Sequence, residues 1–486
     1  MSEKEYKWTV AIIVQYDDSV AEEYADLVRS ILEHGESVYV RYVIFHFNQI
    51  NGKNIGSIKK PDFEKKLFID IPGEEGREID FYDLKYLRKY FREFVNIKAN
   101  PTHRYFVLGW GHGAGLGLFA HLIEEKLRKF LEKKEVQLKN VSLKKAIDTI
   151  IFYQRLKGQL SLSINEDTLE KLHDSIFFSN KEYFTKEQKI VFVRSLLVAV
   201  KAEDFADVLR NEITSGYKKY KVSVLLFLNC YTQMFETGYA LHDVVKQLIA
   251  PQTTVPFYGY NYIKLFSLLS KNPHCTEDDI SNNITNYYMY KYLEQSDVVC
   301  KLQNRYMYKT VNVKDDVAIN SIELANYDLL LRSILEFITG HIRTVIRTGA
   351  KNDLYPRFET AHKRCKWMTG ISDYGIIDFN HFIDELAKNY TEPDYKNNLK
   401  EVCQRFTKLK EITVIASYNS GKLYEIAYRS PDLFSPNPQF FSIFFPSRGE
   451  TDFKKLLLEI YSSGSQQNIG FYKVSHWDNL IFEYLL

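Results

Sequence analysis

The chain has few cysteines, and their arrangement excludes several classes of protein. The five cysteines are odd in number, are widely spaced and contain no CxxC pair: Cys230, Cys275, Cys300, Cys365 and Cys403. A disulfide framework or a structural zinc site needs closely grouped cysteines, usually an even set. The sequence therefore predicts free thiols in a reducing cytoplasm.

Long apolar runs and an excess of one charge are also missing. No run approaches the roughly 18 apolar residues that cross a bilayer, and the charged residues 1–7 do not resemble a signal peptide. The net charge is +2, from 64 basic and 62 acidic residues, which is not typical of a nucleic-acid-binding protein. We expect a cytoplasmic protein that binds neither a membrane nor, by itself, a nucleic acid.

Motifs for metals and nucleotides are missing as well. No loop is dense enough in Asp and Glu to form an EF-hand. A glycine-rich stretch follows residue 112, but it lacks both the Lys-Ser/Thr ending of a phosphate loop and the GxGxxG spacing. The sequence therefore predicts neither a metal nor another cofactor.

The chain does contain abundant apolar sequence, arranged as alternating strands and helices. Apolar residues make up 45% of the chain and aromatic residues 15%, which is enough for a large core. Periodicity predicts strands at 8–16 and 37–47 and helices at 19–34 and 81–95. This βαβα order predicts a parallel sheet with helices on both faces.

The rest of the chain is divided by the same periodicities. We predict a mostly helical insertion at about 120–203, and a first domain over 1–320 followed by an α+β region over 321–486. The further predicted elements are helices at 205–213, 235–249, 260–296, 322–348, 352–369, 379–389 and 477–485, and extended segments at 255–260, 306–319, 412–418 and 440–445.

Two short apolar runs are each followed at once by a reactive side chain. Residues 105–110 precede His112, and residues 224–228 precede Cys230. Ligand sites in open α/β sheets gather beyond the carboxyl ends of the strands. A histidine and a cysteine at the same edge are the two parts of a cysteine nucleophile.

Each of these residues also has a purely structural interpretation. His112 stands in a glycine-rich turn, and a lone cysteine such as Cys230 is more often a small buried hydrophobe than a nucleophile. Their joint position after neighbouring strands favours the catalytic interpretation. Attack on a carbonyl also needs an oxyanion stabiliser, which the backbone N–H groups of Gly113 and Cys230 are placed to supply.

The same residues resemble a known family, the clostripain-like (C11) cysteine peptidases of the caspase-like clan. A strand that ends in His-Gly, followed by a strand that ends in Cys, is the pattern of that clan. The resemblance covers nearly the whole chain except the insertion, through segments 8–10, 110–115, 229–236, 239–241, 259–262, 377–379, 442–447 and 477–478.

The resemblance implies a caspase-like three-layer α/β/α sandwich with a mostly parallel central sheet, and endopeptidase activity through a His112–Cys230 dyad. It also implies a substrate pocket that includes Leu228, Asn229 and Tyr260. The family usually has an Asp two residues before the cysteine, as the floor of a pocket for Arg or Lys. Leu228 stands there instead, and a buried leucine cannot pair a guanidinium. We therefore expect cleavage after an apolar or small residue.

The resemblance leaves two interpretations of the insertion open. Family members carry a cleavable linker between the His and Cys segments, so the insertion could contain an activation cleavage site. It could instead dock an activating protein partner. A cytoplasmic member would cleave specific proteins, which by analogy suggests a regulated bacterial defence or cell-death pathway.

Two other functions are compatible with the sequence. One is a caspase-like scaffold that binds a protein partner and no longer cleaves. The leucine at position 228, where the family usually has Asp, allows this function, but the retained His112 and Cys230 disfavour it. The other is acyl transfer, because an amine can resolve the cysteine acyl-enzyme in place of water.

Overall fold

A computed structural model describes the greater part of the chain. The described residues are 6–16, 21–50, 53–79, 83–96, 103–111, 113–114, 117–122, 197–213, 221–229, 231–252, 261–294, 318–348, 351–365, 376–419, 441–445, 471, 477 and 480. No helix among them is long and apolar enough to cross a membrane.

The strands and helices follow each other in mixed order along the chain. The strands are β1 (Trp8–Tyr16), β2 (Val40–Ile50), β3 (Lys53–Asp62), β4 (Leu67–Asp70), β5 (Arg77–Glu78), β6 (Arg104–Trp110), β7 (Gly113–Ala114), β8 (Gly117–Leu122), β9 (Leu197–Lys201), β10 (Val222–Leu228), β11 (Val245–Pro251), β12 (Ala318–Glu323), β13 (Ile376–Asp378), β14 (Val414–Asn419) and β15 (Ser442–Phe444). The α-helices are α1 (Ala21–His34), α2 (Lys85–Lys89), α3 (Ala202–Glu212), α4 (Phe235–Leu241), α5 (Tyr262–Lys271), α6 (Glu277–Glu294), α7 (Tyr327–Glu336), α8 (Arg343–Arg347), α9 (Lys351–Cys365), α10 (Phe379–Lys388) and α11 (Pro393–Thr413). Tyr90–Val95 and Phe337–Ile342 are π-helical, and Leu324–Asn326 is a 3₁₀ turn.

A ten-stranded sheet forms the centre of the molecule, in the order β14-β12-β11-β10-β6-β1-β2-β3-β4, with β5 beside β3. Its middle five strands, from β11 to β2, are parallel. Both edges are antiparallel, through β3 to β5 on one side and β12 and β14 on the other. The predicted α/β class is therefore confirmed, with a sheet that is parallel at its centre and mixed overall.

Both faces of the sheet are covered, because successive side chains of a strand point to opposite faces. In β1, Val10 and Ile12 belong to one buried apolar cluster, whereas Ala11 and Ile13 belong to the other. The first cluster includes Leu27 of α1 together with side chains of α5 and α6. The second includes side chains of α3 and α4 and of the carboxyl-terminal helices. This arrangement is a three-layer α/β/α sandwich.

The prediction of a single helix over 235–249 is wrong in its second half. The helix α4 ends at Leu241, and β11 occupies 245–251 in the centre of the sheet. A short apolar run such as that of β11 cannot be assigned to helix or strand from periodicity alone. The strand predicted at 255–260 lies outside the described residues.

The two ends of the predicted helical insertion are strands. The strand β8 covers its beginning and β9 its end, and the two pair antiparallel, with Leu122 opposite Leu197. Residues 123–196 lie outside the described part of the chain. The two residues that flank this segment, Leu122 and Leu197, are therefore next to each other in the structure.

The carboxyl-terminal segment packs closely on the sheet and its second cluster. The strand β14 pairs with β12, and Phe235 of α4 lies 5.4 Å from Phe379 and 5.3 Å from Phe441, measured between ring centroids. The domain boundary near residue 320 remains a prediction.

Candidate active site

The ends of β6 and β10 place two sequence positions side by side. These strands are parallel neighbours, and their last register partners are Trp110 and Leu228. His112 and Cys230 each follow two residues later. Both lie outside the described residues, so only their neighbours in the chain are described. The strand ends that precede them, Trp110 and Leu228, lie at the same edge of the sheet, where sites in such folds form.

Gly111, directly before His112, fits where no larger residue would. A Cβ atom at Gly111 would lie 2.6 Å from both Cβ and Oε1 of Gln15. Gln15 is a buried residue of β1, and its Nε2 donates to the carbonyl oxygen of Phe119 at 3.4 Å. The backbone before His112 is therefore packed against a fixed side chain from the neighbouring strand.

The turn after Cys230 has an unusual backbone. Tyr231 adopts a left-handed φ of 60°, which is uncommon for a residue other than glycine. The Thr232 hydroxyl donates to the carbonyl oxygen of Asn229 at 2.9 Å, so it bridges the turn across residue 230. Such conformations persist only where the surroundings hold them.

Two backbone hydrogen bonds hold this turn from opposite sides. The Gln233 N–H donates to the carbonyl oxygen of Pro251 at 3.0 Å, and the Ser442 N–H donates to the carbonyl oxygen of Gln233 at 3.2 Å. One anchor is the end of β11, and the other is β15 of the carboxyl-terminal segment. The helix α4 then begins at Phe235, whose carbonyl oxygen accepts from the Tyr327 hydroxyl at 2.8 Å.

The predicted oxyanion and pocket residues are only partly described. Gly113 begins β7 and is half-buried opposite Leu118 of β8. The Leu228 side chain is 3% exposed and belongs to the same apolar cluster as Trp110. Asn229 is fully buried. Tyr260 lies outside the described residues, and the pocket assignment remains a prediction.

The other described thiols are poor nucleophiles. Burial raises the pKa of Cys275 to about 11 and that of Cys403 to about 12. At neutral pH both are almost entirely in the thiol form, which does not attack carbonyls. Cys300 lies outside the described residues.

A buried pair that the sequence analysis missed lies beside the turn. The Gln252 Nε2 donates to Oδ2 of Asp378 at 3.0 Å, and both residues are fully buried. The other carboxylate oxygen of Asp378 accepts from the N–H of His381, at the start of α10. An Asp before a helical pattern is a recognisable N-cap signal, but no local signal predicts its pairing with Gln252.

No metal site is found in the described part of the chain. No group of three or more His, Cys, Asp or Glu side chains there is arranged to hold a metal ion.

Comparison with known proteins identifies relatives by sequence and by fold. A sequence model of the clostripain family, Peptidase C11, matches residues 178–484, more than half of the chain. The matched range includes Cys230 and begins after His112. No curated protein matches the chain in a sequence search.

Several solved structures share the fold over nearly the full length. One is a secreted C11 cysteine protease from Bacteroides thetaiotaomicron, iotapain, with 14% identity and a TM-score of 0.53 over 96% of this chain and 99% of that one. Another is an inactive zymogen C11 protease from Parabacteroides distasonis, with 14% identity and a TM-score of 0.50 over 97% and 99%. A third is a secreted C11 cysteine protease from Bacteroides thetaiotaomicron bound to an irreversible peptide inhibitor, with 13% identity and a TM-score of 0.50 over 97% and 99%.

The structural matches agree with the α/β/α sandwich. The chain belongs to the clostripain family of cysteine peptidases.

Proposed function

We propose that this protein is a cysteine endopeptidase that cleaves specific protein substrates through His112 and Cys230. The observation that carries the proposal is the register of β6 and β10, which brings Trp110 and Leu228 together two residues before the dyad. Membership of the clostripain family supports the same chemistry.

The proposed reaction has two steps. The Cys230 thiolate attacks the scissile carbonyl, and the N–H groups of Gly113 and Cys230 stabilise the oxyanion. The protonated His112 gives its proton to the leaving amine, so a thioester remains on the sulfur. Water, deprotonated by His112, then hydrolyses the thioester and frees the thiol.

We propose further that the residue before the cleaved bond is apolar or small. Leu228 takes the position at which the family carries a pocket Asp, and its surroundings are apolar. An Arg or Lys side chain placed there would leave its charge without a partner, at a cost of several kcal/mol.

The insertion is proposed to control activity. The Parabacteroides distasonis relative is described as an inactive zymogen, and here Leu122 and Leu197 hold the ends of residues 123–196 together. A cut within that segment would leave the two fragments joined by the β8–β9 pairing. Docking of an activating protein is the alternative.

The cellular setting is also a proposal. The odd number of cysteines without a CxxC pair fits a reducing cytoplasm, whereas two of the similar structures are described as those of a secreted protease. A cytoplasmic peptidase of narrow specificity suits a regulated bacterial defence or cell-death pathway, by analogy at the level of the fold.

The test is cleavage-site mapping by mass spectrometry on a mixed peptide library. Wild type is compared with Cys230→Ala and with the matched control Cys275→Ala. We expect cuts by wild type and by Cys275→Ala, after apolar or small residues, and none by Cys230→Ala. Equal cleavage by all three proteins would exclude the proposed nucleophile. A folded wild type that cuts nothing, even after limited proteolysis of residues 123–196, would favour the scaffold function.

A further inference from the structure

The turn after Cys230 lies at one corner of a closed ring of hydrogen bonds. Gln233 bonds to Pro251 on one side and to Ser442 on the other, at 3.0 and 3.2 Å. Pro251 is followed by Gln252, and Ser442 is the register partner of Asp378 across β15 and β13. The Gln252–Asp378 hydrogen bond, at 3.0 Å, joins these two sides.

Every side chain in this ring is shielded from water. Gln233, Gln252, Asp378 and Ser442 are all fully buried. Hydrogen bonds in such surroundings are stronger and more rigid than those at a surface, and a bond to a carboxylate is stronger again. The ring therefore fixes the distance between the end of β11 and the β13–β15 pair.

The ring holds the part of the backbone that most needs support. Tyr231, directly after Cys230, has a φ of 60°, and such a residue relaxes when its surroundings loosen. The two bonds to Gln233 keep the turn from opening, and both depend on the relative position of Pro251 and Ser442. The Gln252–Asp378 bond connects those two anchors through side chains.

We infer that Gln252 and Asp378 are positioning residues, whose hydrogen bond holds the turn that carries Cys230 in its reactive geometry. Neither side chain is assigned a contact with substrate. The inference rests on the proposed role of Cys230 as the nucleophile.

The chain supplies a matched control in the same strand. Gln247 of β11 is also buried, and its Nε2 donates to Oδ1 of Asp278 at 2.5 Å. It lies five residues before Gln252 and therefore away from the carboxyl end of the strand. Gln247→Met removes this bond, and also the one that Gln247 Oε1 accepts from the Ser281 hydroxyl at 2.7 Å, without touching the ring.

A conservative variant separates the hydrogen bond from the charge. In Asp378→Asn the oxygen still accepts from the His381 N–H, and the new amide faces Gln252. The Oε1 atom of Gln252 has no hydrogen-bond partner within the described residues, so a 180° flip of the Gln252 amide lets Oε1 accept from the new amide. We expect this variant to keep the ring closed.

The experiment measures kcat and KM on a peptide found by the cleavage mapping, and the rate at which iodoacetamide alkylates Cys230. For Gln252→Met we expect both kcat and the alkylation rate to fall about 10-fold or more, with KM nearly unchanged, because small displacements of a nucleophile are costly. Asp378→Asn should stay within about 3-fold of wild type and Gln247→Met within about 2-fold. All rates are corrected for the folded fraction.

Equal kcat and equal alkylation rates for Gln252→Met and Gln247→Met would overturn the inference. If Gln252→Met does not fold, Gln252→Asn, which shortens the donor by one methylene, takes its place with the same expectations. Alkylation needs no peptide substrate, so it tests the ring even if the proposed peptidase activity fails.

Discussion

Trp110 and Leu228 are register partners at the ends of adjacent parallel strands, two residues before His112 and Cys230 respectively. A parallel register keeps the following residues of both strands at one edge of the sheet. The relationship depends only on backbone pairing. It therefore provides a local argument for the dyad that does not depend on similarity to other proteins.

Substitution of Leu228 should change specificity. In Leu228→Asp we expect new cleavage after Arg or Lys, because a carboxylate then stands where the family has one. The matched variant Leu228→Asn, which is polar but uncharged, should not acquire cleavage after Arg or Lys. Both variants should lower the melting temperature, since Leu228 is 3% exposed and a buried polar group costs free energy.

The measurement is hydrolysis of paired reporter peptides that differ only in the residue before the bond. Efficient cleavage of the Arg or Lys reporter by wild type would contradict the prediction.

Residues 123–196 should be replaceable without loss of the fold. Leu122 and Leu197 are paired across β8 and β9, so a two-residue Asn-Gly turn can join them as a hairpin. We expect this variant to keep a near-native melting temperature by calorimetry. A second deletion that also removes β8 and β9, residues 117–201, should unfold or aggregate. Equal melting temperatures for the two deletions would show that the β8–β9 pairing does not hold the ends of residues 123–196 together.

Gly238 should not tolerate a methyl group, although it lies in a helix. Replacement of a helical glycine by alanine usually stabilises by up to about 1 kcal/mol. A Cβ at Gly238 would, however, lie 2.4 Å from the Cε2 and Cζ atoms of the buried Tyr327 ring. We expect Gly238→Ala to destabilise by about 1–3 kcal/mol, the usual cost of overpacking.

The control is Gly340→Ala, where the nearest atom to the new Cβ, Nδ2 of Asn398, is 4.0 Å away. That variant should be neutral or slightly stabilised in chemical denaturation. The prediction for Gly238 is wrong if both variants gain stability.

Glu385 should make the protein sensitive to acid. Burial opposes its ionisation, but the nearby His381, whose Nε2 lies 3.6 Å from Oε1, and the hydrogen bond from Lys388 prevail and lower its pKa from 4.5 to about 2. The charged form is therefore favoured in the folded state. The contribution of Glu385 to the free energy of unfolding is fully present above pH 4.5 and is lost as the pH falls towards 2.

Glu385→Gln should thus lower the free energy of unfolding by at most about 3 kcal/mol at pH 6, and the difference from wild type should vanish near pH 2. The neighbouring Asp384 pairs with the same Lys388 at 2.9 Å but is 50% exposed. Asp384→Asn should therefore have little effect at any pH. A difference for Glu385→Gln that does not change with pH would contradict the assignment.

The centre of the sheet was predictable because its strands are continuous apolar runs. The strand predicted at 8–16 is confirmed over that range, and the runs before His112 and Cys230 are confirmed as β6 and β10. Strands buried on both faces need such runs, so local sequence is sufficient to find them. The capping of α6 was predictable as well: the Thr276 hydroxyl accepts from the Asp279 N–H at 3.1 Å.

The edge of the sheet formed by β3, β4 and β5 was not predicted, whereas the extended segment predicted at 412–418 is confirmed as β14 at the other edge. The strand β3 pairs with β2, with Ile50 opposite Lys53, and β4 and β5 pair with β3. The sequence Asn51-Gly52 between β2 and β3 is a hairpin signal that the sequence analysis did not use. The strands β4 and β5 are short and leave little pattern in the sequence. The helix α11 was also missed, although Pro393 at its start and Leu399, Val402 and Phe406 on one side are typical helix signals.

The support of the candidate site could not be predicted from local sequence. Gln252 and Asp378 are 126 residues apart, and Ser442 reaches Gln233 from still further along the chain. Only the folded topology brings them together. Motif similarity had drawn attention to residues 377–379, but not to what Asp378 contacts.

The position of Ser442 has a consequence for synthesis of the protein. The backbone bond that it makes to Gln233 cannot form until the ribosome has added more than 200 residues after Cys230, and β14 joins the central sheet only shortly before. A nascent chain therefore carries its proposed nucleophile without the strand that braces it for most of the translation that follows Cys230. We expect the enzyme to stay silent during its own production, when unfolded neighbouring chains would be the nearest substrates.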